Sequence, residues 1–60
     1  MPKQIDEDLL IQAAAEVFAE RGYAGAGVAE IARRAGVTTG AIYSRYSGKS
    51  ELLLEALKRS

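Results

Sequence analysis

The segment from Gly36 to Lys49, GVTTGAIYSRYSGK, holds the residues whose types and spacing could bind another molecule. After Gly36 and Val37 it has two threonines and a glycine, and the residues that follow include two tyrosines, two serines, an arginine and a lysine. Hydroxyl and ammonium groups of this kind donate hydrogen bonds to anions such as phosphate. The sequence contains neither histidine nor cysteine, so it offers no nucleophile–base pair and no zinc ligand set. We therefore expect no catalysis, no metal and no cofactor.

Composition and charge are those of one small globular domain, with 48% apolar and 27% charged residues. The formal net charge is zero, but residues 1–30 carry −4 and residues 31–60 carry +4. This asymmetry predicts an anionic partner at the basic half, although a solvated surface would show the same pattern. There is no apolar run of the roughly 20 residues that span a bilayer, and no signal-peptide pattern. We expect a cytoplasmic protein.

Glycine residues divide the chain into segments with helical periodicity, and no alternating run is long enough for a strand. Asp6 is a candidate N-cap for a first helix over residues 7–21. Gly22 is expected to end that helix in the left-handed conformation, because glycine has no Cβ to clash there. Tyr23 would then pack on Phe18, as in a Schellman ending.

The next helices are predicted to be short, at residues 28–35 and 39–46, and a fourth helix begins near Lys49. Residues 36–38 link the two short helices. Two short helices joined by a three-residue, glycine-containing turn indicate a helix-turn-helix. The predicted fold class is therefore all-α, a three-helix helix-turn-helix (homeodomain-like) domain plus the start of a fourth helix.

Apolar side chains at helical spacing predict the core. Ala32 is small where the second and third helices must cross closely, and Val37 and Ile42 are expected to fill the gap between them. Tyr46 lies one turn beyond Ile42 and is expected to share its buried face. The predicted apolar face of the fourth helix consists of Leu52, Leu53, Ala56 and Leu57.

The stretch IQAAAEVFAERGYAGAGVAEIARRAGVTTGAIYSRYSGKSELLLEAL resembles the N-terminal DNA-binding domain of the TetR family of bacterial transcriptional regulators. The resemblance runs from about Leu10 to Leu57 and includes AA..VF...GY, V..IA..AGV, G.IY and GK..LL. It implies a TetR-type DNA-binding domain over residues 1–60, with the helix-turn-helix at about 28–47. It also implies a homodimer that binds a palindromic operator, usually as a repressor, in the cytoplasm and at the nucleoid when bound. A larger helical C-terminal domain, absent from this sequence, would bind a small effector and supply the dimer interface.

The leading end of the third helix is the predicted base-reading element, because the second helix of a helix-turn-helix enters the major groove with its N-terminal residues. Thr39 and Ser44 could hydrogen-bond base edges or phosphates, and Ala41 could meet a thymine methyl group. Gly40 would let the backbone approach DNA closely. The alternative is that Gly40 and Ala41 are tolerated surface residues.

Other residues are predicted to contact phosphate. Thr38, the expected N-cap of the third helix, lies at this interface. The Tyr43 hydroxyl is a phosphate donor in the resembling family, and the alternative is packing against the fourth helix. Lys49 would add its charge to the positive start of a helix, and the alternative is a loose pair with Glu51. Arg45 could reach a phosphate or a guanine edge, but the family commonly has an aromatic residue or histidine there.

The start of the second helix departs from the family pattern, which usually has Thr or Ser where this chain has Ala26 and Gly27. Contacts from this helix are therefore expected to use backbone N–H groups at Gly27 and Val28. Glu30 is expected to reach back to the Gly27 N–H, as in a capping box. Gly48 and Glu51 have the same three-residue spacing at the start of the fourth helix, so the Glu51 side chain is expected to reach back to the Gly48 N–H in the same way.

Two functions from different classes remain open at this point. The first is sequence-specific binding of double-stranded DNA, which uses the small tip of the third helix and the phosphate donors. The second is a helical protein–protein interaction module, because trihelical domains can use an exposed face to bind proteins. Salt dependence of binding separates them, since DNA binding releases counterions.

Overall fold

The computed structural model describes residues 6–59 and contains four α-helices over that range. They are α1 (Glu7–Gly25), α2 (Val28–Ala35), α3 (Thr39–Tyr43) and α4 (Lys49–Lys58). The described residues contain no strand, and the predicted all-α fold class is confirmed.

Helix α1 begins as predicted at an Asp6 cap, whose carboxylate accepts a hydrogen bond from the Leu9 N–H at 3.2 Å. Its regular part ends at Gly22, where φ is 73° and ψ is 169°. The positive φ confirms the need for glycine, but ψ lies outside the left-handed helical region that was expected. The chain therefore kinks and makes a further short turn before Ala26. The Tyr23 ring stacks on Phe18 with centroids 5.8 Å apart, as predicted.

The turn between α2 and α3 has the predicted geometry. Gly36 has φ 78° and ψ 27°, the left-handed conformation in which a side chain is strained. The Val37 N–H donates to the Ala32 carbonyl at 2.9 Å. Thr38 then caps α3, because its hydroxyl oxygen accepts from the Ala41 N–H at 3.0 Å.

Helix α3 is shorter than the predicted 39–46, since its regular part ends at Tyr43. The Ser44 hydroxyl donates to the Ala41 carbonyl at 2.7 Å, and that carbonyl is the acceptor that a continuing helix would offer to Arg45. The Arg45 N–H instead bonds the Ile42 carbonyl at 2.9 Å, as in a tighter turn. The third helix thus closes with a turn over residues 44–46.

The core draws one or more side chains from every helix. Its largest fully buried members are Leu10, Val17, Ile31, Ile42 and Leu52. Ala32 and Tyr46 are also buried, and Val37 packs at the edge, as predicted. These contacts hold α3 by its inner face and leave its opposite face to solvent.

The predicted apolar face of α4 is wrong at Leu57, which is 62% exposed. Leu52 is buried and Ala56, one turn later, packs on the core, so the face that contacts the domain follows this pair. Leu57 is about 100° further round the helix than Ala56, and α4 packs mainly on α1. Because one partner helix covers only a narrow stripe of the α4 surface, Leu57 lies outside the covered part.

An ion-pair network joins α1 to α2. Arg34 binds Glu20 at 2.8 Å and Glu30 at 3.0 Å, and Arg21 binds Glu30 at 2.7 Å. The hydrogen bond from Arg34 holds the pKa of Glu20 below its ordinary value, and the same bond raises the pKa of Arg34. The expected bond from Glu30 back to Gly27 is therefore wrong, because arginines from both helices bind this carboxylate.

Across residues 6–59, no helix combines the length and the apolar character that crossing a membrane requires.

Candidate nucleic-acid interface

The leading end of α3 forms the outer edge of the domain. Thr39 and Gly40 are exposed, and Ala41 is half-buried. A Cβ added at Gly40 would meet its nearest neighbour, the Thr38 hydroxyl oxygen, at 3.9 Å. Because Ile42 anchors the helix from inside, this small edge is held on a rigid element rather than on a loop.

Hydroxyl groups surround this edge, and two of them already have a partner. The Thr38 oxygen accepts the cap hydrogen bond, which leaves its proton available for donation. The Ser44 proton is donated to the Ala41 carbonyl, so its oxygen remains only as an acceptor. The Tyr43 side chain is 55% exposed, which suits a phosphate contact and equally the alternative of packing against α4 with an exposed hydroxyl, so its role stays a prediction.

Arg45 binds the first residue of α1. Its guanidinium lies 2.6 Å from the Glu7 carboxylate, and each side chain is about two-fifths exposed. A contact between Arg45 and a phosphate or a guanine edge would use the other N–H donors of the guanidinium or would replace Glu7. The structure thus gives the arginine a defined partner and leaves its predicted DNA contact a prediction.

Lys49 begins α4, as predicted, and its ammonium faces the connection between α1 and α2. Nζ donates to the Tyr23 carbonyl at 2.7 Å and to the Ala26 carbonyl at 3.0 Å, and it lies 4.5 Å from the centre of the Tyr23 ring. The Glu51 carboxylate accepts from the Ser47 N–H at 2.6 Å. The capping-box spacing of Gly48 and Glu51 predicted a hydrogen bond from the Gly48 N–H. The carboxylate instead binds the N–H of the preceding residue, Ser47.

The start of α2 has the backbone character that the sequence predicts. Gly27 is the N-cap, with φ −121° and ψ 144°, and no side chain caps this helix. Its carbonyl accepts the first helical hydrogen bond, from the Ile31 N–H at 3.1 Å. Gly27 is exposed and Val28 is half-buried, so the N–H groups of the first turn lie near the surface.

Sequence reasoning missed Glu7 and Tyr23 as partners of the predicted site residues. Glu7 lies 38 positions from Arg45, and Tyr23 lies 26 positions from Lys49. No spacing rule for a single helix or turn connects residues so far apart. Within the described range, no group of acidic side chains is arranged to hold a metal ion.

This arrangement defines a class of protein. A short helix with a small, exposed tip follows another short helix across a tight glycine turn, and the longer α1 packs on the first of these two helices. That is a helix-turn-helix domain, which presents its second helix to the major groove of DNA.

Comparison with known families identifies the chain further. Residues 10–56 match the family described as bacterial regulatory proteins, tetR family, and the chain belongs to that family.

Its relatives include several helix-turn-helix transcriptional regulators. The chain is 46% identical to the transcriptional activator FasR of Mycolicibacterium smegmatis over 98% of this chain and 27% of the relative. It is 48% identical to the regulator SrpR of Pseudomonas putida over 80% of this chain and 22% of the relative. It is 37% identical to the repressor KstR2 of M. smegmatis over 85% of this chain and 25% of the relative. Comparison with solved structures found no significant match.

The chain spans about a quarter of the length of these curated relatives. The family match makes the chain a helix-turn-helix domain of the tetR family, and the protein-interaction alternative is not favoured.

Proposed function

We propose that this domain binds double-stranded DNA sequence-specifically by placing α3 in the major groove. The observation that carries the proposal is the small, exposed leading end of α3, which buried Ile42 and Tyr46 hold in place. The groove is about 12 Å wide, and a helix fits it when the residues that face the bases are small.

Base edges meet Thr39, Gly40, Ala41 and Ser44 in this proposal. Thr39 can donate or accept, and Gly40 permits close approach of the backbone. Ser44 acts as an acceptor, because its proton is bound by the Ala41 carbonyl. An acceptor at this position suits the amino group of cytosine or adenine in the major groove.

Phosphates meet the groups that flank α3. Thr38 and Tyr43 donate from their hydroxyl groups, and the first N–H groups of α2, at Gly27 and Val28, provide a second anchor. Arg45 joins them when it exchanges Glu7 for a phosphate. Lys49 binds the carbonyl of Ala26, the residue directly before the Gly27 and Val28 N–H groups.

The whole protein is proposed to be a homodimer in the bacterial cytoplasm, at the nucleoid when bound to a palindromic operator. A helical C-terminal domain, outside these sixty residues, would bind a small effector and form the dimer interface. Among the relatives, FasR is named an activator and KstR2 a repressor. We propose repression, which the resemblance implies for most family members, and no enzymatic activity.

Fluorescence anisotropy of a labelled duplex tests the DNA-binding proposal. Binding of the 60-residue chain should weaken as salt rises, because its cations release counterions from the phosphates. The affinity should be modest, since one half-site lacks the gain from a tethered second domain. Absence of binding at low salt, or binding that salt does not affect, would contradict the proposal.

A further inference from the structure

The ammonium of Lys49 is bound on three sides by the α1–α2 connection. It contacts the carbonyl oxygens of Tyr23 and Ala26 at 2.7 and 3.0 Å, and it lies over the Tyr23 ring. Carbonyl acceptors and an aromatic face both stabilise a cation. Two of the three N–H donors of the ammonium therefore have acceptors within the domain.

The connection that Lys49 holds is residues 23–27, which lead directly into α2. Ala26 is buried, and its N–H donates to the Gly22 carbonyl at 3.0 Å. Gly27 follows as an N-cap without a side-chain hydrogen bond. The direction of the first α2 N–H groups thus depends on backbone contacts of this connection, and Lys49, at the start of α4, donates two of these hydrogen bonds.

Tyr23 is fixed from its other side as well. Its ring stacks on Phe18 with an interplanar angle of 20°, and Phe18 packs against the core. The ring therefore lies between a core side chain and the ammonium. This arrangement joins the start of α4 to the end of α1 immediately beside the start of α2.

We propose that Lys49 is a positioning residue for DNA binding. Its ammonium fixes the 23–27 connection, so that the N–H groups at Gly27 and Val28 point towards a phosphate. This inference rests on the proposed function, and it replaces a direct phosphate contact by Lys49 with an indirect role.

Salt dependence separates the indirect role from a direct contact. Removal of a lysine that neutralises a phosphate lowers the slope of log affinity against log salt by about one. Backbone N–H groups carry no formal charge and release no condensed counterion when they bind. Loss of positioning should therefore lower the affinity and leave the slope unchanged.

The binding experiment compares Lys49→Met and Tyr23→Leu with one control, using a fluorescein-labelled duplex of mixed sequence. Both variants should bind about tenfold more weakly with the slope of the unaltered chain. The control Lys58→Met removes an exposed charge elsewhere on α4, so it should bind like the unaltered chain. A slope lowered by about one in Lys49→Met, or full affinity in either test variant, would overturn the inference.

Amide hydrogen exchange tests the same contact without DNA. In Lys49→Met and in Tyr23→Leu, the Ala26 N–H should exchange about tenfold faster relative to the Val17 N–H in α1. Unchanged relative exchange would overturn the positioning role even where the variant binds DNA more weakly. The proposed function fails by a different result, which is the lack of salt-dependent DNA binding by the unaltered chain.

Discussion

At the scale of single residues, the interface is defined by which polar atoms already have a partner. The Thr38 oxygen, the Ser44 proton and the Arg45 guanidinium are all engaged within the domain. Tyr43 and Thr39 extend from the exposed side of the same helix. These intramolecular hydrogen bonds limit what each group can offer DNA, so the residues around α3 are expected to differ in their effects on binding.

Tyr43→Phe should weaken binding to every duplex by roughly tenfold, because a hydrogen bond to a charged phosphate contributes about 1.5 kcal/mol. The salt slope should stay the same, since the hydroxyl group is neutral. Anisotropy with two unrelated duplexes measures both quantities, with Tyr23→Phe as the matched control. Weakening confined to one of the duplexes would assign Tyr43 to base recognition instead.

Thr39→Ala should change which duplexes are preferred more than it changes non-specific affinity. A lost base contact costs about 1–3 kcal/mol at one base pair and little elsewhere. Duplexes would be selected from a randomised pool with the unaltered chain and with the variant. The variant should show relaxed preference at one base-pair position. Identical selected sequences for both chains would remove Thr39 from the base-reading set.

At the scale of the elements, local rules predicted most of the fold. Thr38 and Gly36 were predictable because a cap and a tight turn depend on atoms within three or four residues. The end of α3 was not, since it depends on whether the Ser44 hydroxyl or the Arg45 N–H binds the Ala41 carbonyl. Competition between two nearby donors for one acceptor leaves no periodic pattern in the sequence.

The candidate site was less predictable than the helices. The exposure of the α3 tip followed from the burial of Ile42 on the opposite face. The contacts of Lys49 did not follow, because they depend on how the α1–α2 connection folds back towards α4. Long-range contacts of a flexible side chain require the tertiary structure.

Serine substitutions at two glycines test the turn and the cap with opposite expected signs. Gly27→Ser should stabilise the domain by a few tenths of a kcal/mol, because φ there is negative, space is open and a hydroxyl can cap α2. Gly36→Ser should destabilise it by about 1 kcal/mol, because φ is 78°. Urea unfolding followed by circular dichroism measures both free energies. If both substitutions raise the free energy of unfolding, or both lower it, this assignment of the turn and the cap is contradicted.

At the scale of the whole molecule, the opposite charges of the two halves are matched to each other. Arg34 binds Glu20 and Glu30, Arg45 binds Glu7, and Arg59 binds Asp8. The basic half is therefore not simply a surface for an anionic partner, as its composition suggested. Among residues 6–59, few cations remain for phosphate without a change of partner, and the salt slope of one domain should be small, near one or two.

The α1–α2 network should make stability depend on acid pH. The folded-state pKa of Glu20 lies below its ordinary value of 4.5, so the unfolded chain binds a proton more readily there. The stabilisation is complete above that value and is lost as pH falls through the folded pKa. Glu20→Gln should flatten the stability curve over this acid range in urea unfolding. In an Arg34→Met background the same change should have no such effect, and an equal flattening there would contradict the pairing.

The central claim is that the leading end of α3 enters DNA, and NMR titration of the 15N-labelled chain with a pool-selected duplex tests it most directly. We predict the largest amide shifts at residues 39–44, with a second group at Gly27 and Val28. The exposed face of α4, at Leu54 and Leu57, should change little. Shifts concentrated on that α4 face, with residues 39–44 unmoved, would contradict the account.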